Sequence, residues 1–343
     1  MIRGRGATGV GLGLPGLLGR RVSLRYRIAA PTSTASLTDA VGEVTEVTPD
    51  AVVVQTRGGV VRVPTDAVIA VREIPPARPT RASLAAVTRL ETVCADGWPA
   101  VVDSPLGQWR LRAAGGFTGR ANSCLVLGEP GLPVPDALSK VLSFAAAHGV
   151  PARVQVPEGS PWHTSILEHG WRPDENHAAG WRVEVLVSGL TEPAPPDHRR
   201  ILHVSKITIG DRSRWREALV DPAAAVPSPA FARAQEHVLT APGVADIGFA
   251  LAEPGGGRRE PIGSVRLAVL DGHLYLSRMR VDDGYRRLGL ATELMAAATR
   301  WASERGARWC VLQVASHNEA ALALYRRLGF STHHHYVYLV PPA

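Results

Sequence analysis

The stretch LYLSRMRVDDGYRRLGLATEL, residues 274–294, changes its periodicity within a few positions. Apolar residues alternate at its start, the pattern of a half-buried strand, and a short polar turn follows. Leu290, Leu294, Ala297, Ala298 and Trp301 then share one face at helical spacing, so an amphipathic helix begins directly after the turn. A strand, a tight turn and a helix start form an anion-binding geometry. The first amides of a helix have no intrahelical partner, and the dipole adds about half a positive charge there. Gly289 lets a ligand approach the backbone closely, Ala291 keeps the next contact small, and Arg286 and Arg287 can add charge-assisted contacts. Taken alone, Arg-x-x-Gly-x-Ala also describes a helix start with incidental arginines on a solvated face.

A second constellation follows after one more strand, Trp309 to Val314. In NEAALALYRRLGF, residues 318–330, Ala321, Leu324, Tyr325 and Leu328 form one helical stripe, with Asn318 at the helix start and Gly329 beyond its end. A lone tyrosine on such a stripe is more often a core residue than a catalyst. The two motifs in this order, with a strand between them, are hard to obtain by chance.

Together, Arg286 to Ala291, the strand, Asn318 to Tyr325 and Leu328-Gly329-Phe330 resemble the acetyl-CoA motifs of the GNAT superfamily of N-acetyltransferases. The similarity covers roughly residues 200–340 and is strongest over 275–330. It implies that Met279, Arg280 and Val281 pair with the pantetheine amides. It also implies that Arg286, Arg287, Leu288, Gly289, Leu290, Ala291 and Thr292 cradle the pyrophosphate. Asn318 would contact the pantetheine arm, and Tyr325 would protonate the departing thiolate. The residue types suit that chemistry, because amine attack on a thioester needs an uncharged amine, a polarised carbonyl and a proton for sulfur. No covalent nucleophile is required, and Cys310 reads as packing. Asp271, His273, Asp282, Asp283 and His317 are candidate bases, with deprotonation through water equally open.

Working outward, residues 83–190 carry an echo of the same order. His148-Gly149, Val154-Gln155-Val156 and Glu168-His169-Gly170-Trp171 parallel Arg305-Gly306, Leu312-Gln313-Val314 and Arg327-Leu328-Gly329-Phe330. The reading is a tandem duplication, with chance periodicity as the alternative. The first copy is degenerate. Arg112-Ala113-Ala114-Gly115-Gly116-Phe117 is read as its version of the turn, with Phe where Gly or Ala belongs, and the helix near Trp162 lacks the Asn-to-Tyr pairing. Arg110, Arg112, Phe117, Arg120 and Asn122 are candidates for an acceptor pocket between the halves, or else ordinary strand and turn residues.

Before these halves, residues 17–78 hold five short strand patterns, Val22–Ile28, Val41–Val47, Ala51–Thr56, Val60–Val63 and Ala67–Ile74. Gly58-Gly59 makes a hairpin turn in the middle. Closing five short strands into a small barrel removes their edges, and the segment resembles a Src-homology-type barrel. Ile74–Pro79 and Thr191–Pro196 read as stiff proline-rich linkers. The fold class is therefore α/β (α+β). A flexible leader (1–16) and a small all-β barrel (17–78) precede a degenerate GNAT-like half (83–190) and an acetyl-CoA-binding GNAT half (200–343). At whole-chain level this resembles actinobacterial N-acetylglutamate synthase-like proteins, which implies a place in amino-acid metabolism. Mycothiol synthases share the tandem arrangement.

Composition narrows the alternatives. The 343 residues are 45% hydrophobic and 20% charged, enough to bury a sizeable core. Of 38 basic residues only Lys140 and Lys206 are lysines, and neither forms Gly-Lys-Ser/Thr, which excludes a P-loop. The net charge of +7 suits an anionic cofactor, nucleic acid or a membrane surface, and the arginines are too dispersed to choose among them. Cys94, Cys124 and Cys310 have no paired spacing, so neither a disulfide framework nor a zinc cluster is expected, and a cytoplasmic setting follows. No apolar run reaches the ~18 residues of a membrane helix. The apolar stretch Gly9 to Leu18 is broken by glycines and Pro15, with a secretory segment as the weaker reading. Gly11 to Gly16 spells GxGxxG without a preceding strand and is set aside. His333-His334-His335 reads as the start of a last strand.

The function expected is direct transfer of acetyl from acetyl-CoA, as cosubstrate, to a small-molecule primary amine, with glutamate as the candidate. No metal, membrane or nucleic-acid partner is expected. The competing class is a non-catalytic acyl-CoA sensor whose barrel docks protein or nucleic acid through Arg20, Arg21, Arg25, Arg27, Arg57 and Arg62. A mycothiol-synthase-like acetyltransferase is the further alternative.

Overall fold

The computed structural model describes residues 14–28, 36–56, 59–74, 82–190, 204–214, 216, 228–244, 246–254 and 260–342. Most of the leader, Arg57, Gly58 and, apart from Ile74, both proline-rich linkers lie outside them. The chain forms two compact units, residues 1–80 and 81–343.

In the first unit, β-branched alternation produces five antiparallel strands: β1 (Arg21–Ile28), β2 (Ser36–Val47), β3 (Ala51–Thr56), β4 (Gly59–Pro64) and β5 (Val68–Glu73). Their order is β4-β3-β2-β1-β5. The long β2 pairs with β1 through its first part and with β3 through its second. Val22, Leu24, Val44, Val52, Val54 and Val63 form the core, each contributing roughly 1.5–3 kcal/mol of burial. Three of the arginines that suggested a docking surface are paired instead: Arg20 with Glu73 at 2.7 Å, Arg25 with Asp39 at 2.9 Å and Arg62 with Glu46 at 4.0 Å. Gly42 is where β2 passes between β1 and β3, and any Cβ there would collide with the Gln55 carbonyl.

The second unit is mixed α/β, built on a twelve-stranded sheet. Its first half contributes β6 (Val102–Leu106), β7 (Trp109–Ala113), β8 (Cys124–Leu125), β9 (Val154–Pro157), β10 (Arg172–Pro173) and β11 (Arg182–Gly189). With them come helices α1 (Leu84–Asp96), α2 (Val134–His148) and α3 (Pro161–Glu168). The second half contributes β12 (Val204–Gly210), β13 (Asp246–Pro254), β14 (Gly263–Leu270), β15 (His273–Val281), β16 (Trp309–Ala315) and β17 (Ser331–Val340). Its helices are α4 (Pro229–Thr240), α5 (Leu290–Ser303) and α6 (Glu319–Arg327).

The path through the sheet is β12-β13-β14-β15-β16-β11-β17-β9-β8-β7-β6, with β10 paired to β17. Two parallel pairs punctuate it, β15 with β16 and β8 with β9, at matching places in the two halves. Between them the final strands are exchanged: β11 pairs with β16, and β17 pairs with β9. Each half is thereby completed by the other, and both sides of the exchange are buried. Leu290, Leu294 and Ala298 of α5 pack with Leu322 and Tyr325 of α6 against β14 to β16. Trp98, Phe117, Val238, Phe249, Tyr275, Tyr336 and Tyr338 make a separate core that joins the halves.

One expectation needs correcting. Residues 112–117 leave β7, not the strand that precedes a helix. The segment matching the 286–292 turn is 126–133, between β8 and α2. It carries Glu129, Pro130 and Pro133 and no arginine. Prolines have no N–H to donate and the carboxylate repels an anion, so this connection suits an anion less well than the 286–292 turn does.

Replacing Gly42 by valine should destabilise the first unit by about 2–4 kcal/mol, lowering its unfolding midpoint by on the order of 10–20 °C in thermal denaturation. An unchanged midpoint would show that β2 bends without needing the missing Cβ.

Candidate active site

β15 and β16 pair from His273–Trp309 to Leu276–Leu312 and then part. Beyond Leu276 the β16-facing edge of β15 has no strand beside it among the described residues, and β15 bulges: Ser277 stands opposite Arg266 and Arg280 opposite Ser264, so Arg278 and Met279 face Val265 alone. Arg278 takes a positive φ of 56° to make the bulge. A cleft of about 350 Å³ opens at the split. Ser277, Arg278, Met279, Gln313, Asn318 and Tyr325 line it from the second half, and Thr118, Arg120, His177 and Gly180 from the first. Tyr336 and Tyr338 of β17 also line it.

Of the residues expected at the site, Met279, Asn318 and Tyr325 face this cleft. Asn318 also caps α6, its side chain accepting from the Ala321 N–H at 3.2 Å. Arg280 and Val281 continue β15 away from the cleft, and Arg280 pairs with Asp282 at 3.0 Å. Arg286 to Thr292 do not line the cleft and lie farther along, on the turn into α5. Gly289 has φ +90° and caps the helix, with nothing within 4 Å of where a Cβ would stand. Thr292 and Glu293 donate to the Gly289 carbonyl at 2.9 and 3.1 Å. The five N–H groups from Arg287 to Ala291 have no hydrogen-bond partner among the described residues. The turn is open, with Leu288 44% exposed. Arg286 is held by Asp283 at 2.7 Å and by the Val281 carbonyl at 3.3 Å. Such a run of amides at a helix start fits a diphosphate.

Tyr325 is 5% exposed and packs edge-on to Phe330 at 5.6 Å. Burial pushes its phenol well above the ordinary tyrosine value, with the Cys310 thiol adding to the shift. It therefore keeps its proton at neutral pH. Burial does the same for Tyr275, Tyr336 and Tyr338. Cys310 is buried as expected for a packing residue.

The first-half candidates separate cleanly. Arg110 pairs with Asp96 and Asp103. Arg112 is buried against Ser123 and Gln155, and Phe117 is in the core. Asn122 uses its whole amide: Oδ1 accepts from Ala114 and Gly116, and Nδ2 donates to the Phe117 and Thr118 carbonyls. It fixes the turn that delivers Arg120. Only Arg120 of the five reaches the cleft. Its Nη1 donates to the Tyr275 hydroxyl and to Gln313 Oε1 at 2.9 Å, and its guanidinium lies 4.8 Å from the Trp98 ring centre.

None of the candidate bases lines the cleft. Asp271 pairs with Arg89 at 3.0 Å, His273 bonds the Asp271 carbonyl at 2.7 Å, and His317 packs beside Gly180. The imidazole that does line it is His177, stacked on Tyr338 at 4.6 Å and held neutral by burial and then by Arg153. No sequence motif surrounds His177 that could have singled it out. Among the described residues no cluster of His, Cys, Asp or Glu is arranged to hold a metal, and no helix is long and apolar enough to cross a membrane.

Residues 84–339 match the family model described as "Probable histone acetyltransferase Rv0428c C-terminal", and residues 17–72 match "Rv0428c N-terminal Sm-like domain". The chain is 30% identical to the Mycobacterium tuberculosis protein of the former name over 338 residues, 95% of each chain. It is 26% identical to "Uncharacterized N-acetyltransferase YobR" of Bacillus subtilis over 253 residues, 73% of this chain and 97% of that one. A solved GCN5-related N-acetyltransferase from Kribbella flavida is similar at 20% identity, with a TM-score of 0.48, over 75% of this chain and 95% of its own.

Since burial raises these phenols, the stability they contribute is complete below the unfolded tyrosine value near ~10 and drains away as pH climbs through the raised values. Spectrophotometric titration of the native chain at about pH 11 should leave Tyr275, Tyr325 and Tyr336 protonated. Phenolate absorbance from all six tyrosines while the fold persists would contradict the burial argument.

Proposed function

The chain belongs to the GNAT-type N-acetyltransferases with an Sm-like N-terminal domain, and from that premise we propose direct transfer of an acetyl group to the primary amine of a small molecule, with glutamate as the candidate acceptor. Acetyl-CoA, the proposed cosubstrate, supplies an activated thioester. The observation that carries the reading is the alignment, along β15, of an open strand edge at the cleft with an open run of amides at the start of α5.

Each residue then has a physical task. The free amides of Arg287 to Ala291, with the dipole of α5, hold a diphosphate. The unpaired edge of β15 at Ser277 to Met279 offers backbone groups to a pantetheine chain and to the thioester carbonyl. Asn318 sits where that chain would pass, and Arg280 and Val281 continue the strand toward the phosphate turn. Tyr325, protonated and inside the cleft, donates to the leaving sulfur. The acceptor enters from the side formed by Thr118 to Arg120 and His177 to Gly180. The amine loses its proton to water or to an imidazole such as His177, and no covalent enzyme intermediate is needed.

Tyr325→Phe should lower kcat by about 10²–10⁴-fold and leave acetyl-CoA affinity nearly intact, as read by thiol release and calorimetry. Unchanged turnover would remove Tyr325 from the reaction. Gly289→Val forces a β-branched residue to positive φ and turns the free amides away, so acetyl-CoA binding should be lost while circular dichroism shows a folded chain. Normal affinity in that variant would sink the assignment of the turn.

A further inference from the structure

We infer that the acceptor is an anionic amine, one that carries a carboxylate besides its reacting nitrogen, and that Arg120 receives the carboxylate with Arg278 nearby. This rests on the acetyl-transfer reading and specifies the substrate class.

The positive charge at the cleft is unbalanced. Arg112 of this unit is buried on uncharged Ser123 and Gln155, away from the cleft, whereas Arg153 is neutralised by Asp174 at 2.6 Å, Arg182 by Glu158 at 2.8 Å, and Arg110 by two aspartates. Arg120 is not. Its partners are a phenol, an amide oxygen and an indole face, all uncharged, and no carboxylate lies within ion-pair distance among the described residues. Arg278 likewise has no carboxylate partner among them and lines the same cleft. A third guanidinium, Arg266, is fully buried 4.9 Å from the same Trp98 ring, with Nη1 on Ser277 Oγ at 3.4 Å and Nη2 without a partner among the described residues. Burial pulls Arg266 down to about 9, which still leaves it charged at neutral pH.

Among the described residues nothing in the lining of the cleft offsets this charge, since they include no Asp or Glu there. Glu91, whose field reaches Tyr275 and Tyr336, is already engaged by Gln155 at 2.6 Å and His334 at 3.0 Å. Holding a desolvated cation without a counter-ion is costly, and an incoming carboxylate relieves that cost. The guanidinium fork also suits a carboxylate's two oxygens. The same potential disfavours a lysine-rich tail, which would bring several more positive charges.

The position fits the acceptor and not the cofactor. Arg120 comes from the first half, on a turn pinned by Asn122, and meets the cleft where the Tyr275 hydroxyl of β15 donates to Gln313 Oε1 of β16 at 3.1 Å. The diphosphate turn is at the other end of β15, beyond Val281. A carboxylate at Arg120 would leave the amine of a short molecule near Ser277 to Met279, where the strand edge is open.

The test uses the full chain and glutamate, β-alanine, O-phosphoethanolamine, ethanolamine and a lysine-rich histone-tail peptide. Calorimetry with CoA present and thiol release from acetyl-CoA are both read. Glutamate or β-alanine should bind measurably, and kcat/KM should exceed that of ethanolamine and of the peptide by about 10²-fold or more. Arg120→Gln should raise KM for the carboxylate amine by about 10²-fold, with a smaller change in kcat and unchanged acetyl-CoA affinity, and Arg120→Lys should restore part of the loss. Should Arg120→Gln fail to fold, the wild-type binding panel and Arg278→Gln carry the test. Preference for ethanolamine or the peptide would overturn the inference while acetyl transfer stands. Preference for O-phosphoethanolamine would replace carboxylate by phosphate and overturn the class named. Loss of acetyl-CoA affinity in Arg120→Gln would move the guanidinium to the cofactor. Wild-type chain that neither binds acetyl-CoA nor releases thiol with any amine would instead refute the transferase reading beneath it.

Discussion

Two parallel strands that pair over four residues and then separate are the constraint on which the rest of this unit depends. A sheet satisfies its backbone through its neighbours, so an interruption in its middle leaves amides and carbonyls that must find other partners. Here they open onto a cleft lined by side chains from both halves. The bulge at Arg278 and Met279 keeps β15 paired with β14 on one side while its other edge is free. The separation is held open by packing. α5 and α6 lie with β14 to β16 in one core, and the core around Trp98 joins the halves, so closing the gap would require moving two sets of buried side chains.

The exchange of final strands ties the two halves into one sheet. β11 fills the place beside β16 and β17 the place beside β9, so neither half has a complete sheet alone. The 126–133 connection of the first half carries Glu129, Pro130 and Pro133 and no arginine, and the same half places Arg120, His177 and Gly180 in the cleft. One half presents the groups suited to a thioester carrier and the other the groups suited to an acceptor.

Much of this was legible in the sequence, for identifiable reasons. The five strands of the first unit were read within a few residues because β-branched alternation and glycine turns are local signals. The turn at Gly289 and the cap at Asn318 were readable because each depends on its neighbours in the chain. The parts not readable depend on distant contacts. Strand exchange leaves no local trace, since β11 and β17 look like ordinary last strands. The place of the first-half turn was misassigned because the glycine pair at 115–116 imitates a phosphate turn, whereas the connection that occupies that place is rich in proline. Among the five first-half candidates, composition could not tell Arg110, paired with two aspartates, from Arg120, paired with none.

That last distinction carries weight because arginine is abundant here, and abundance alone says little about any one residue. An exposed arginine pairs or not at small cost, and a surface ion pair adds little stability. A guanidinium at the base of a cleft, flanked by a phenol, an amide and an indole, is different, since its desolvation is opposed only by hydrogen bonds to neutral groups and by the face of a ring. Trp98 has two such cations near its ring, Arg120 at 4.8 Å and Arg266 at 4.9 Å, and the aromatic surface makes their proximity tolerable without neutralising either. A cleft of this kind is charged before anything binds. The ligand it favours is one that completes the pairing, and among amines that means one bearing its own negative charge.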